Sequence, residues 1–310
     1  MNKDIKLYNG DCLVESDRIE SGSVDLILTD LPYGNMKNAP STWDKSKTSW
    51  DTVIEPLKIY DIANRILRKK GKLVLFSQEP YSTSLTKNTI LNLPLSTKAI
   101  WEKDSFANSL GCNKNMVGFT EDILIFSKQE DVGRTHILRD YFLKVRKYIT
   151  QSTNEINKAL GNTMASHYFT KGNQFRFPSI KDYNLLVEFY NINTMVGFLE
   201  YKELEDINNK FSSTFNLWQG KKYKSNILKY KKDYNGFHPT QKPVLLLEDL
   251  IKTFSNENDL VVDLTMGSGS TGVACKNTNR SFTGIEMYKT YFDISVDRIK
   301  NTQQELFLGL

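Results

Sequence analysis

The stretch that most constrains this chain is "DLVVDLTMGSGSTGVACKNTNRSFTGIEM", residues 259–287. Strand-like apolar residues run into a Gly-rich turn. A helical segment follows, then a second short strand that ends in Glu286. Gly267, Gly269 and Gly272 permit close backbone approach at the helix's amino end, and Asp263 stands at the tip of the first strand. A strand, Gly loop, helix, strand and terminal acid fit a ligand that carries a ribose, whose hydroxyls the acid would accept. Taken alone, the turn suits a dinucleotide, a phosphate or S-adenosylmethionine, or is simply tight. The Gly-Lys-Ser/Thr that grips a nucleoside triphosphate is missing. Dehydrogenases usually carry such a unit first in the chain; here it comes last, which weakens a nicotinamide reading.

The first 130 residues repeat the style. "SVDLILT" (23–29), "GKLVLFS" (71–77), "TKAIWEK" (97–103) and "EDILIFSK" (121–128) read as strands. Between the first two, Ile59, Ile62, Ala63, Ile66 and Leu67 fall at helical spacing, with Gly71 as a helix stop. "PVLLLEDLIKTFS" and "YFDISVDRIKNTQQEL" read as further helices. The expected fold is therefore α/β, with a largely parallel sheet and helices on both faces. Residues 1–130 and 236–310 form one discontinuous domain, and 131–235 an inserted, mainly helical region.

That insert is polar and basic. Between Arg134 and Asn235 there are 17 Lys+Arg against 9 Asp+Glu, whereas the rest of the chain has 24 against 27. A local basic surface of this kind suits a polyanion, although a Lys-rich solvated face has the same composition. Residues 151–169 outline a helix-turn-helix. Ile156, Ala159 and Leu160 mark one helix, Gly161 the turn, and Met164 to Phe169 a second helix. Lys144, Arg146, Lys147, Asn162, Thr163, Ser166 and His167 are the candidate DNA contacts.

A second motif, "TDLPYG" (29–34), ends the first buried strand in a carboxylate, a Pro and a Tyr. Ordinary turn chemistry gives the same residues. An exocyclic amino group on a nucleobase poses a problem that they would solve, because its lone pair is conjugated into the ring. Two acceptors on its N–H bonds draw it towards tetrahedral geometry. Ionised Asp30 is purely an acceptor, and the Leu31 carbonyl is a second, held extended by Pro32. Tyr33 offers a stacking face to a base swung out of its helix.

Together "TDLPYG", "HPTQKPVLLLEDLI" and "LVVDLTMGSGSTGVAC" resemble the amino-methyltransferases of DNA, the adenine-N6 and cytosine-N4 family. The order matches the permuted β group, in which the catalytic motif precedes the cofactor motif and a target-recognition region lies between. The resemblance covers residues 4–130 and 236–300. It implies a Rossmann-like S-adenosylmethionine-dependent sheet and assigns Asp30, Leu31, Pro32 and Tyr33 to the catalytic Asp-Pro-Pro-Tyr, with Leu in place of the first Pro. It places Asp263, Gly267, Ser268, Gly269 and Thr271 in the cofactor loop, with Ser270 a mild departure from the usual Thr, and makes Glu286 the ribose acid. His238, Thr240, Lys242 and Pro243 match the element bordering the cofactor's methionine end, with Asp30 beside it. Asp11 and Cys12 match the segment near its adenine, and Ser77 and Gln78 are pocket candidates. A polar loop, "STWDKSKTSWD" (41–51), is placed to close over a flipped base.

Asp in the tetrapeptide favours adenine N6, since the cytosine-N4 members usually carry Ser there. Cytosine C5 chemistry needs a Cys nucleophile, and none sits in a suitable setting. The different-class alternative is a DNA-binding regulator with an inactive methyltransferase fold. The implied partners are double-stranded DNA and, as this group allows, a second copy of the chain and a cognate restriction endonuclease. The absence of a long apolar run, of a secretory leader and of any paired Cys framework or Cys/His metal spacing predicts a soluble cytoplasmic protein with neither membrane nor metal partner.

Overall fold

The computed structural model describes residues 4–34, 51–107, 112–114, 116–129, 136–170, 174–210, 213–217, 220–234, 237 and 241–302. The strands are β1 (Ile5–Asn9), β2 (Val24–Asp30), β3 (Leu67–Ser77), β4 (Leu95–Ala107), β5 (Gly118–Ser127), β6 (Ile227–Lys229), β7 (Leu260–Asp263) and β8 (Ser281–Glu286). The helices are α1 (Cys12–Glu15), α2 (Pro56–Ile66), α3 (Tyr81–Lys87), α4 (Arg139–Tyr148), α5 (Thr153–Leu160), α6 (Ala165–Tyr168), α7 (Ile180–Tyr190), α8 (Tyr201–Lys210), α9 (Val244–Phe254), α10 (Ser270–Asn277) and α11 (Lys289–Asn301).

The eight strands among the described residues join one sheet in the order β1-β8-β7-β2-β3-β5-β4-β6. Alternation sends the side chains of each strand to two cores. Ile27, Leu73, Leu75, Leu124 and Ile285 pack with α2 and α3 on one face. Leu26, Leu28, Val74, Ile125 and Phe282 pack with α9, α10 and α11 on the other. The helices on both faces are thus as expected. The sheet is mixed, however, because β5 runs antiparallel to both β3 and β4. The short segment 108–117 that joins β4 to β5 leaves no room for the crossover a parallel pair needs. The basic "RKKG" also differs from expectation. The helix stops at Ile66, and Arg68–Lys70 begin β3 with a register break and Lys70 at φ 65°.

Two compact units result, Met1–Glu130 with Ser213–Leu310, and Asp131–Ser212. The expected insert boundary at 235 therefore moves. Ile227–Lys229 pairs in parallel with Ile100–Glu102 as the edge strand of the large sheet. Tyr230 to Asp233 then run on towards its carboxyl edge, tied there by Lys232 N–H to Asp104 at 3.0 Å. The charge divides accordingly. Residues 131–212 hold 11 basic against 9 acidic side chains, and 213–235 hold 6 against 1. The smaller unit has its own core, including Phe142, Val145, Ile156, Tyr183 and Leu186.

Candidate active site

β2 delivers Asp30 to the carboxyl edge of the sheet, and Pro32, without an N–H, cannot extend the ladder. Both carboxylate oxygens of Asp30 are engaged. The Tyr33 hydroxyl donates to Oδ1 at 2.6 Å, and the Lys242 ammonium lies 2.5 Å from Oδ2. The Asp30 carbonyl accepts from Thr265 Oγ1 at 2.9 Å, which fastens β2 to the turn after β7. Leu31 is 2% exposed and packs in the first core, so its side chain serves packing. The Tyr33 ring lies 6.1 Å from that of Tyr81, and the Lys242 ammonium sits 5.8 Å above it.

Burial pushes the Asp30 carboxyl above its ordinary value against the pull of Lys242, and Glu121 adds to the rise. Burial would lower Lys242, but Asp30 and Glu121 together hold it above the usual lysine range. The same balance reverses at Glu121. Burial favours its neutral form, yet Lys242 and Lys103 keep its carboxyl below the ordinary value.

Beside Asp30 opens a cavity of about 940 Å³, a size suited to a nucleoside-sized ligand with a substrate group alongside. One wall is the Gly-rich turn. Gly267 (φ 52°) and Gly269 (φ 82°) take left-handed conformations that favour glycine. A Cβ on Gly272 would lie 2.3 Å from Ile299 Cδ1, so this glycine serves the approach of α11 to α10. Asp263 accepts from Thr271 Oγ1 at 2.6 Å and from Thr265 N–H at 3.1 Å. Burial nevertheless lifts its carboxyl to about 6. Glu286 accepts from Gly267 N–H at 2.9 Å and from Tyr288 N–H at 2.8 Å. Burial raises it as well.

Of the residues expected to hold a cofactor, Asp11, Cys12, Asp30, Lys242, Asp263, Gly267, Ser268, Thr271 and Glu286 line this one cavity. Gly269 and Pro243 are not among its lining residues; they immediately precede α10 and α9. Asp11 caps α1 through Leu13 N–H. Burial moves the Cys12 thiol up to about 12, so it is a neutral packing group and not a nucleophile. Gln78 lines the cavity, whereas Ser77 is fully buried. His238, Thr240 and the loop 41–50 lie outside the described residues.

Several lining groups were not singled out in the sequence, although Gln241 lies within the "HPTQKP" element. Glu121, Lys103, Lys232 and Gln241 reach the cavity from β5, β4, the segment after β6 and the turn before α9. Arg298 of α11 donates to the Ser268 carbonyl and hydroxyl, both at 3.0 Å, and to Ser270 Oγ at 3.1 Å, bracing the Gly-rich turn.

In the smaller unit, α5 opens with a Ser152–Glu155 capping box and closes at Gly161 (φ 68°), as expected of the first helix. The second helix is reduced to the single turn Ala165–Tyr168. This corrects the helix-turn-helix reading, because one turn is too short to lie along a groove as a recognition helix. Its residues are drawn inward, with the Tyr168 hydroxyl and the Asn162 amide both donating to the Asp182 carboxylate on α7. Asn162 and Arg146 are also taken up locally, since the Arg146 guanidinium donates to the Ile149 carbonyl at 2.9 Å. His167 is half-buried, its Nδ1 3.3 Å from the Gln174 carbonyl. Lys144, Lys147, Thr163 and Ser166 are exposed.

A doubly covered α/β sheet with its cavity at the strands' carboxyl edge, between a Gly-rich turn and Asp30–Tyr33, defines a Rossmann-like methyltransferase domain. The chain belongs to the N6/N4 DNA methylase family, whose model, described as DNA methylase, matches residues 24–297. It is 26% identical to the type II methyltransferase M2.LlaDCHI of Lactococcus lactis subsp. cremoris, over 94% of this chain and 88% of that one. It is 24% identical to the DNA adenine methyltransferase YhdJ of Escherichia coli K12, over 94% and 82%. The M1.HpyAVI–SAM complex shares the fold with a TM-score of 0.53 at 20% identity, covering 95% of this chain and 99% of that one. The cytosine-N4-specific PvuII DNA methyltransferase does so at 0.54 and 16%, covering 98% and 95%.

Proposed function

We propose that this protein is a site-specific DNA methyltransferase that modifies the N6 amino group of adenine in a flipped-out base, with S-adenosylmethionine as methyl donor. The observation that carries this reading is the placement of a half-buried acceptor, Asp30, at the rim of the cavity that the Gly-rich turn and Glu286 share. The residues fit the donor. Glu286 keeps acceptor capacity for ribose hydroxyls beyond its two backbone bonds, since a carboxylate has about four lone-pair sites. Cys12, Leu264 and Met266 supply apolar walls. When bound, S-adenosylmethionine would supply an electrophilic methyl group carried on a sulfonium.

The chain's own residues do the rest. Asp30 and the Leu31 carbonyl accept the amino N–H bonds and free the nitrogen lone pair, and Tyr33 stacks on the base. The proton becomes acidic only once the nitrogen is alkylated, so no general base must act first. The Tyr33 hydroxyl now on Oδ1 gives way to the amino group.

Duplex phosphates are assigned to the basic stretch 221–232 of the larger unit; in the smaller unit the exposed Lys144 and Lys147 are separate candidates. The occurrence of this family in restriction–modification favours a cognate endonuclease and a homodimer as partners, each testable by co-purification. Cytosine N4 is the second reading, favoured by the fold it shares with the PvuII enzyme.

The test is to express the chain in a methylation-free host and sequence the DNA for modified bases, alongside Asp30→Ala. N6-methyladenine at one sequence with the parent alone supports the reading. N4-methylcytosine replaces it with the second. DNA binding with no modification by either protein would leave a regulator with an inactive fold.

A further inference from the structure

Asp30 belongs to a chain of alternating charge that runs beneath the cavity through three more strands and turns. Lys242, from the turn before α9, lies 2.5 Å from Asp30 Oδ2 and 3.3 Å from Glu121 Oε2. Glu121, on β5, takes Lys103 of β4 at 2.7 Å on its other oxygen. The order is carboxylate, ammonium, carboxylate, ammonium. The side chains of Lys242 and Lys103 are 6% and 2% exposed, and that of Glu121 11%. Glu121 Oε2 is buried and makes no hydrogen bond, although it faces Lys242. A packing role does not explain that arrangement. Burying two ion pairs brings little net stability against an apolar alternative, and nothing in the strand requires a carboxylate here.

We propose that Glu121 is a positioning residue for methyl transfer, which shares the charge of Lys242 and so sets both the aim and the acceptor strength of Asp30. This rests on the reading above, in which Asp30 receives the amino group of the base. A lysine paired with Asp30 alone would draw the carboxylate's charge onto itself and weaken it as an acceptor. Held between two carboxylates, the ammonium fixes Oδ2 and leaves Oδ1 to turn to the base once the Tyr33 hydroxyl has moved. The groups around the pair are Tyr33 and Asp263 near Asp30, Tyr81 near Tyr33, and Lys103 and Lys232 near Glu121. None of these comes as close to Lys242 as Asp30 and Glu121 do among the contacts described.

The experiment compares Glu121→Gln and Glu121→Asp with the parent and with Asp30→Ala, in single-turnover methylation of duplex DNA across pH. Folding is followed by melting temperature and cofactor binding by titration with S-adenosylmethionine. Glu121→Gln keeps the shape and removes the charge. It is expected to bind S-adenosylmethionine as the parent does, to lose about tenfold or more in rate, and to shift the acid limb of the rate profile down by about half a unit or more. Glu121→Asp, which restores the charge one methylene shorter, recovers part of the rate. A parental rate and an unmoved acid limb in Glu121→Gln, with Asp30→Ala inactive, overturn the proposal alone. Full activity in Asp30→Ala overturns the reading beneath it. If Glu121→Gln merely melts early, Glu121→Asp decides: a parental melting temperature with no more activity than Glu121→Gln overturns the proposal, because the restored charge should recover rate.

Discussion

At the scale of the residue, the two aromatic and acidic groups of "DLPY" have separable duties. Tyr33 contributes both a ring and a hydroxyl, and the hydroxyl now occupies the Asp30 oxygen that the substrate would need. Tyr33→Phe keeps the stacking face and removes the competitor, so single-turnover rates should stay within about fivefold of the parent. Tyr33→Ala loses the stack, worth about 1–3 kcal/mol per base, and should fall by roughly 5- to 150-fold. Equal losses in both variants would assign the role to the hydroxyl. Asp30 carries a pH prediction of its own. It accepts N–H bonds only when ionised, and burial, despite Lys242, holds its carboxyl above the ordinary value of 3.8. Activity is therefore present above the raised pKa and lost as pH falls through it. The acid limb should lie above pH 3.8 while circular dichroism still reports a folded chain. Activity unchanged below that pH would mean that Asp30 works in another state.

At the scale of the element, the sequence exposed those parts that carry their own periodicity. β2, β3, β7 and β8 are apolar runs, and the Gly-rich turn and its helix lie between the second pair, so both halves of the site were legible. What was hidden depends on strand direction. Glu121 opens an apolar run, and a carboxylate at the start of a parallel strand would lie far from the cavity. Only because β5 is antiparallel does its beginning, and with it Glu121, meet the ends of β2 and β3. β6 has three residues, with no pattern to read, and pairs with the edge of β4 that faces away from β5. Finding β6 also moved the basic excess from the helical unit to the larger one. Changing Lys221, Lys222 and Lys231 together to Gln should therefore weaken DNA binding more than changing Lys144 and Lys147. It should also reduce the salt slope by up to about three, near 0.9 per lost phosphate contact. Arg146 is left out of that comparison because it braces the end of α4. A larger loss from the Lys144/Lys147 pair would carry the phosphate path onto the helical unit.

At the scale of the whole molecule, the chain leaves the larger unit before residue 131 and re-enters it after residue 212. On departure, the Lys128 carbonyl accepts Lys70 N–H at 3.0 Å, and the Lys128 ammonium donates to the Leu67 carbonyl at 2.5 Å. On return, buried Thr214 lies 3.4 Å from the Arg68 guanidinium, and Asn216 bonds the Thr253 carbonyl at 2.8 Å. Departure and return thus both touch Leu67–Lys70, at the end of β3 remote from the cavity. Among the described residues, every group lining that cavity comes from outside 131–212, and each unit has a core of its own. Replacing Asp131–Ser212 with a Gly/Ser linker should therefore leave a cooperatively folding protein, because loop closure depends only weakly on linker length. By calorimetry it should bind S-adenosylmethionine within about threefold of the parent, a difference below about 0.7 kcal/mol. Methylation at the parent's recognition sequence should fall by about a hundredfold or more, while the low rate on unrelated duplexes, sustained by the lysines of 221–232, changes far less. Retained sequence selectivity would place target reading in the larger unit. Loss of cofactor binding would make the smaller unit part of the site's support, against the self-contained hydrogen-bonding of the cavity walls.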